Sequence, residues 1–337
     1  MLQAPVSRTR SSRGCSASTF ANFGFKRDTR IIELLVSLWF GSSHRSKPRT
    51  HANFRTATRA RLLISVAILA VASPLAGAQT TTGDPDAERK ADLITAYKIL
   101  VNEGILDSFG HVSVRSSKDP NIFFMPRAMP PALVSQDDLV ELRVSDSQPI
   151  DPKGRRVNGE RYIHGEIYKA RPDVMSVIHS HSQAVIPLSL TAIKLKPVIA
   201  QAGFLPPATP TFEIRDVRKG GDRGMQVTDS ARGAALARTL SSYPVALMRG
   251  HGEVVAGSSV KQAVVYAAYV DINARMQTQA LLLSRDIVTL DEPELFTPEE
   301  FDINRPWEHL KQKTLDDAAK AKVDRAQFGL DQTQTKR

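Results

Sequence analysis

One cysteine, Cys15, is all that 337 residues contain, and it sits near the N-terminus. A chain with no second thiol forms no internal disulfide, and any metal it binds must be held by His, Asp or Glu. Beyond residue 78 the sequence also lacks an uninterrupted apolar run of about 20 residues, the length needed to cross a bilayer. Net charge is missing from most of the chain too. The formal charge is +10, yet 12 of the 45 Lys and Arg fall in residues 1–61 against only Asp28 and Glu33, so the other 33 basic and 33 acidic residues cancel. A body with no net charge lacks the footprint that phosphate backbones require, which excludes a nucleic-acid partner. Hydrophobic residues make up 42% of the sequence, enough for a well-buried core, and this excludes a disordered chain.

The segment after Arg61 accounts for the charge asymmetry. "RLLISVAILAVASPLAGAQ" has a basic flank, an apolar run from Leu62 to Ala72, a breaker at Pro74 and Ala76-Gly77-Ala78 before Gln79. That is the layout of a secretory signal over residues 61–78, with cleavage expected after Ala78. Residues 1–60 are then a leader, or an upstream segment preceding the true start. The expected location is periplasmic or secreted, with no stable membrane insertion after cleavage. An Arg- and Ser-rich organellar transit segment is the competing reading, and a misread leader would leave the chain cytoplasmic.

Helix and strand patterns alternate through the rest. Leu93, Ile94, Tyr97, Leu100 and Val101 recur at helical spacing up to Gly104. "HVSVR", "IFFM" and "DDLVELRV" read as strands, with "DPKGRR" as a tight turn. A helix then runs up to Pro172, followed by the strand "VMSVIHS" and a short helix interrupted by Pro187. A Pro-rich loop, a helix from Asp229 to Leu240, the strand "PVALMRG" and a long helix from about Ser259 to Leu283 complete the pattern. No internal repeat or linker divides residues 85–310, so one α/β domain is expected there, with a charged, Gln-rich tail over 311–337 that is a fraying helix or disordered.

The chemistry lies in the histidines. His179 and His181 in "SVIHSHSQAV" are two residues apart, so in an extended strand they project from one face and can grip one ion. His251 lies between Gly250 and Gly252, where missing side chains would let a ligand or metal approach the backbone. A third imidazole would complete a set that leaves coordination positions open for substrate. Glu160 and His164 in "GERYIH" share a helical face, so a carboxylate can hang over the ion as ligand, general base or both. On spacing alone each keeps a second reading: hydrogen-bonded histidines, a polar turn residue, a solvated helical glutamate. His309 is assigned to an ordinary C-terminal helix, and Tyr162, Tyr168, Tyr266 and Tyr269 to helix packing.

These motifs together resemble the class II aldolase/adducin superfamily, whose zinc-type lyases include fuculose-phosphate aldolase. The resemblance covers roughly residues 87–285 and rests on "GHVSVR", "GERYIHGEIYKARPDVMSVIHSHS", "RGHGEVVAG" and the closing helix "AVVYAAYVDINARMQTQALLL". It implies a three-layer α/β/α sandwich around a mostly antiparallel sheet. It implies that His179, His181 and His251 bind a divalent metal, with Glu160 as the acidic residue and ligand beside it. It also implies a Lewis-acid role for the metal on a hydroxy-carbonyl substrate, a metal-stabilised enolate, and tetramers with sites at subunit interfaces. Zinc is the first expectation, although three histidines and a carboxylate suit manganese, iron or cobalt as well.

The sequence departs from the sugar-phosphate members where their phosphate pocket would be. It reads "GHVS", "FMPRAMPP" and "VNGE", so most of the cradling hydroxyls and glycines are gone and a phosphorylated sugar is disfavoured. These features look like the branch containing decarboxylases of hydroxylated aromatic acids. Within it Arg127 would pair with a substrate carboxylate, and His111 would donate to the substrate or shuttle a proton. The expected activity is metal-dependent cleavage of a carbon–carbon bond in a non-phosphorylated hydroxy- or oxo-carboxylate, by decarboxylation or retro-aldol reaction. An aldolase, epimerase or dehydratase acting on a sugar-derived substrate is the alternative within enzymes. A non-catalytic adducin-like interaction module is the alternative outside them.

Overall fold

The computed structural model describes residues 83–297 and 300–327; the expected leader, signal run and Ala78 cleavage point lie outside the described residues. Helix α1 (Ala87–Asn102) buries Leu93, Tyr97 and Leu100. The chain leaves it at Gly104, whose φ of +69° is a left-handed conformation suited to glycine. Strands β1 (His111–Arg115), β2 (Ile122–Pro126) and β3 (Leu139–Arg143) form a meander. Helix α2 (Arg161–Ala170) leads through Pro172 into β4 (Ser176–Ser180). Then come α3 (Ile186–Ser189), β5 (Thr211–Phe212), α4 (Ser230–Leu240), β6 (Val245–Met248), β7 (Gly252–Gly257), α5 (Val260–Leu283) and α6 (Asn304–Gln327).

The seven strands make one sheet in the order β3-β2-β1-β4-β7-β6-β5, antiparallel except for β5 against β6. Period-two alternation sends successive side chains to opposite faces, and each face is closed by helices. Val112, Val114, Ile178, Val245 and Val255 pack with α1 and α5 and with Trp307 and Leu310 of α6. Phe123, Met125, Val177 and Val254 pack on the other side against Ile163 and Ile167 of α2 and Leu236 and Leu240 of α4. This is the three-layer α/β/α sandwich with a mostly antiparallel sheet that the family resemblance implies. Among the described residues no helix is long and apolar enough to cross a membrane.

Several local expectations change. Pro187 lies in the first turn of α3, where a missing N–H costs nothing, and so it starts the helix instead of interrupting it. The stretch after His251 is a sixth full-length strand, β7, and part of the Pro-rich loop supplies the two-residue β5. Helix α2 begins at Arg161, which makes Glu160 its N-cap residue. Helix α6 runs on through residue 310 to Gln327, with its early turns in the core through Trp307 and Leu310.

Candidate metal centre

The sheet register gathers the site at one end. His111, which opens β1, stands directly opposite His179 near the end of β4, so the two side chains leave the same face, with ring centroids 5.0 Å apart. His181 follows one residue beyond β4, and the β6–β7 turn presents His251 beside it. Gly250 takes φ +64° in that turn and donates its N–H to Ser189 Oγ at 2.8 Å. A Cβ at Gly252 would lie 1.9 Å from the Ser180 carbonyl oxygen. The glycines around His251 thus admit the β4 backbone and a tight turn.

The carboxylate comes from the α2 layer. Glu160 makes no side-chain cap to its own helix; its Oε1 accepts the Val227 N–H at 2.9 Å, which fixes the group over the imidazoles. From there Oε1 lies 3.8 Å from His251 Nε2, and Oε2 lies 3.8 Å from His179 Nε2 and 3.9 Å from His111 Nε2. Two overlapping sets therefore converge, His179–His181–His251 and His111–Glu160–His179, with donor atoms in each within 4.8 Å of one another. His179, His111 and Glu160 are buried, whereas His181 and His251 remain half-buried and form the open side.

The donor set fits a metal. His179 Nδ1 donates to the Glu253 carbonyl at 2.9 Å, so Nε2 carries the lone pair, the orientation that ligating histidines usually receive from a second partner. That Nε2 faces His181 Nε2 at 3.2 Å, close to the roughly 3.3 Å between two nitrogens on one tetrahedral zinc. Burial holds His179 well below the usual imidazole range and also lowers His181 and His251, which keeps lone pairs available. Burial pushes the Glu160 carboxyl up, but the polar surroundings supplied by His111, His179 and His251 outweigh it, and the group stays well below the usual carboxylate range. Three neutral imidazoles and one carboxylate suit a divalent cation.

The other nominated residues divide. His164 does not face the ligand set: its Nε2 meets His111 Nδ1 at 2.6 Å and its Nδ1 meets Ser113 Oγ at 2.6 Å. Arg127 follows β2 and gives its Nε to Asp138 Oδ1 at 2.8 Å, with 39% of its side chain exposed. The β1–β2 register pairs Val114 with Phe124, and three steps further it brings Arg127 to the sheet end where His111 stands. His309 lies on α6, away from the cluster. Sequence reasoning missed Ser113, Tyr168 as a polar partner, and Glu253. Glu253 had a visible signal, a carboxyl inside an otherwise apolar strand, and Ser113 shares the strand parity of His111 and Arg115.

Residues 91–278 match the Class II Aldolase and Adducin N-terminal domain family, and the chain belongs to it. It is 36% identical over 210 residues to "Decarboxylase tropJ" of Talaromyces stipitatus, covering 59% of this chain and 79% of that one. It is 27% identical over 209 residues to a 3,4-dihydroxyphthalate decarboxylase of Terrabacter, covering 59% of this chain and 83% of the relative. The fold is similar to a crystal structure of an aldolase II superfamily protein from Pseudomonas syringae, with TM-score 0.58 and 19% identity over 69% of this chain and 94% of that one. The family and the decarboxylase-named relatives support a class II aldolase-type lyase of the decarboxylase-like branch, and the solved structure matches the fold.

Proposed function

We propose that the protein is a metal-dependent decarboxylase of a non-phosphorylated, hydroxylated aromatic carboxylic acid. The observation that carries this reading is the convergence of His179 Nε2 and His181 Nε2 at 3.2 Å beneath an ionised, buried carboxylate 3.8 Å away. His179, His181 and His251 hold the cation, with Glu160 beside it. When bound, a divalent ion, zinc before manganese, iron or cobalt, supplies Lewis acidity to the substrate oxygens. Glu160 takes the proton of the substrate hydroxyl. The bond to the carboxylate carbon breaks, carbon dioxide leaves, and Glu160 returns its proton to the ring carbon that keeps the electron pair. Arg127 offers its half-exposed guanidinium to the substrate carboxylate and His111 binds a substrate oxygen. The names of the two decarboxylase relatives and the loss of phosphate-cradling residues support decarboxylation over aldol cleavage.

The reading extends to assembly and location. Phe109 is 69% exposed and lies 6.3 Å from the His181 ring between centroids, and Leu190 is 59% exposed near the Gly250 turn. Apolar side chains at the mouth of the site favour a neighbouring copy that closes it, in the homotetramer that the family resemblance implies. The Leu62–Ala72 run and Ala78 pattern favour a periplasmic or secreted mature chain; mature protein found in the cytosol on fractionation would refute that.

The function is tested by counting metal per subunit in the wild type and His179→Ala, then assaying dihydroxybenzoates and hydroxyphthalates for carbon dioxide. One equivalent, lost in the variant, with carbon dioxide release from the wild type, is expected. Aldehyde release instead would move the protein to the aldolases. No metal after reconstitution would leave an adducin-like interaction module.

A further inference from the structure

A line of polar side chains runs from the α2–sheet interface into the site. Tyr168 Oη lies 2.7 Å from Ser113 Oγ, Ser113 Oγ lies 2.6 Å from His164 Nδ1, and His164 Nε2 lies 2.6 Å from His111 Nδ1. The remaining ring nitrogen, His111 Nε2, faces Glu160 Oε2 at 3.9 Å. All five residues are buried. At the far end burial raises the Tyr168 phenol above its usual range, so it keeps its proton and donates. At the near end Glu160, whose Oε1 accepts the Val227 N–H, turns its Oε2 toward His111 as an acceptor.

One arrangement of protons gives every hydroxyl and ring N–H inside the line an acceptor. Tyr168 donates to Ser113, the Ser113 hydroxyl donates to His164 Nδ1, and His164 Nε2–H donates to His111 Nδ1. His111 is then left with its proton on Nε2, aimed into the site. The reverse order would turn a His111 lone pair toward the Glu160 carboxylate. It would also make the Ser113 hydroxyl accept from both His164 and the phenol, leaving its own proton without an acceptor among the described residues.

We infer that Tyr168, Ser113 and His164 are positioning residues that lock His111 as an N–H donor to an anionic oxygen of the substrate, and that His111 is not a metal ligand. This separates the two overlapping donor sets: the ion belongs to His179, His181 and His251, and the His111 side of Glu160 is where substrate binds. The inference relies on the lyase reading only for what His111 touches. Its proton position stands on hydrogen-bond direction alone.

The test is nitrogen-15 NMR of the imidazole rings in the full chain, metal-free and zinc-loaded, with His111 assigned through His111→Gln. His111 is expected as the Nε2–H form in both states. Ser113→Ala should mix the two tautomers and lower kcat/KM about tenfold, the effect of one hydrogen bond, and Ser113→Thr, which keeps the hydroxyl, should restore both. Tyr168→Phe provides a second break in the line if Ser113→Ala folds poorly, and His111→Gln should keep its full complement of metal. A wild-type His111 protonated at Nδ1, or metal lost from His111→Gln, would overturn the inference. A wild type that binds no metal would remove the proposed function and leave the tautomer result intact, so the two failures are distinguishable.

Discussion

Strand β1 shows both faces of the sheet in five residues, and the two differ in kind. Val112 and Val114 enter an apolar layer under α1 and α5, whereas His111, Ser113 and Arg115 enter the layer under α2, where every one finds polar partners. All five are buried, so burial alone does not distinguish them. An apolar side chain contributes by leaving water, and one pocket serves nearly as well as another of the same size. A buried polar side chain costs about 1–3 kcal/mol for each unmet hydrogen bond, so it survives only where its partners are placed for it. The α2 face is therefore the constrained one, and the constraint runs from Arg115 at one end of β1 to the site at the other.

The largest expected break in that contrast is Arg115→Met. The guanidinium donates to the carbonyls of Val174, Tyr168, Pro120 and Arg171 at 2.6–3.0 Å and lies 4.7 Å over the Tyr168 ring. Methionine fills much of the volume and satisfies none of these acceptors. A loss of about 4 kcal/mol is expected from urea unfolding, among the larger single-residue effects, with metal content reduced as β4 and α2 shift. A loss below about 1 kcal/mol would mean that water replaces the arginine readily and that the two faces are alike.

The contrast also explains what could be read from the sequence. The histidine pair was legible because strand parity is local, Glu160 and His251 because the short motifs that carry them are local, and the helices α1, α4 and α5 because their apolar periods are local as well. Strand β7 was hidden because "GEVVAG" is bounded by glycines that read as turns, and the demand for Gly252 comes from the Ser180 carbonyl, 72 positions earlier in the chain. The role of Tyr168 was equally hidden: its helical position predicts packing, and only the β1–β4 register brings Ser113 beneath its hydroxyl. Local pattern gives the elements and candidate ligands, while the partners of buried polar atoms depend on how distant segments cross.

On the apolar face a smaller and cleaner effect is expected. Val114→Ala deletes two buried carbons from the layer under α1 and α5, worth about 1.6 kcal/mol at 0.8 per carbon. Metal stoichiometry and turnover should be unchanged, because nothing polar depends on the side chain. A change in kcat at unchanged stability would show that the apolar layer also tunes the site, and the division of labour between faces would fail.

Glu253 is the exception that sharpens the comparison, a carboxyl on the apolar α5 side next to the site. It stands opposite Ser180 across β4 and β7 and accepts that hydroxyl at 2.9 Å, while its Oε2 has no hydrogen-bond partner among the described residues. Burial, aided by the nearby Asp271 charge, pushes it up to about 8, against about 4.3 for glutamate in an unfolded chain. Between those values the folded protein holds a proton that the unfolded chain has released, so this contribution to stability is complete below about 4.3 and is lost as the pH climbs toward 8. The lowered histidines act in the opposite sense, costing stability below about 6.5 where the unfolded chain charges them. The window from about 6.5 to 8 therefore isolates Glu253. In chelator, the wild-type Tm should fall across that window, while Glu253→Gln, which keeps an acceptor for Ser180 and cannot ionise, should stay level. Equal slopes would mean that Glu253 is already ionised in the fold and that the apolar face tolerates charge beside the metal centre.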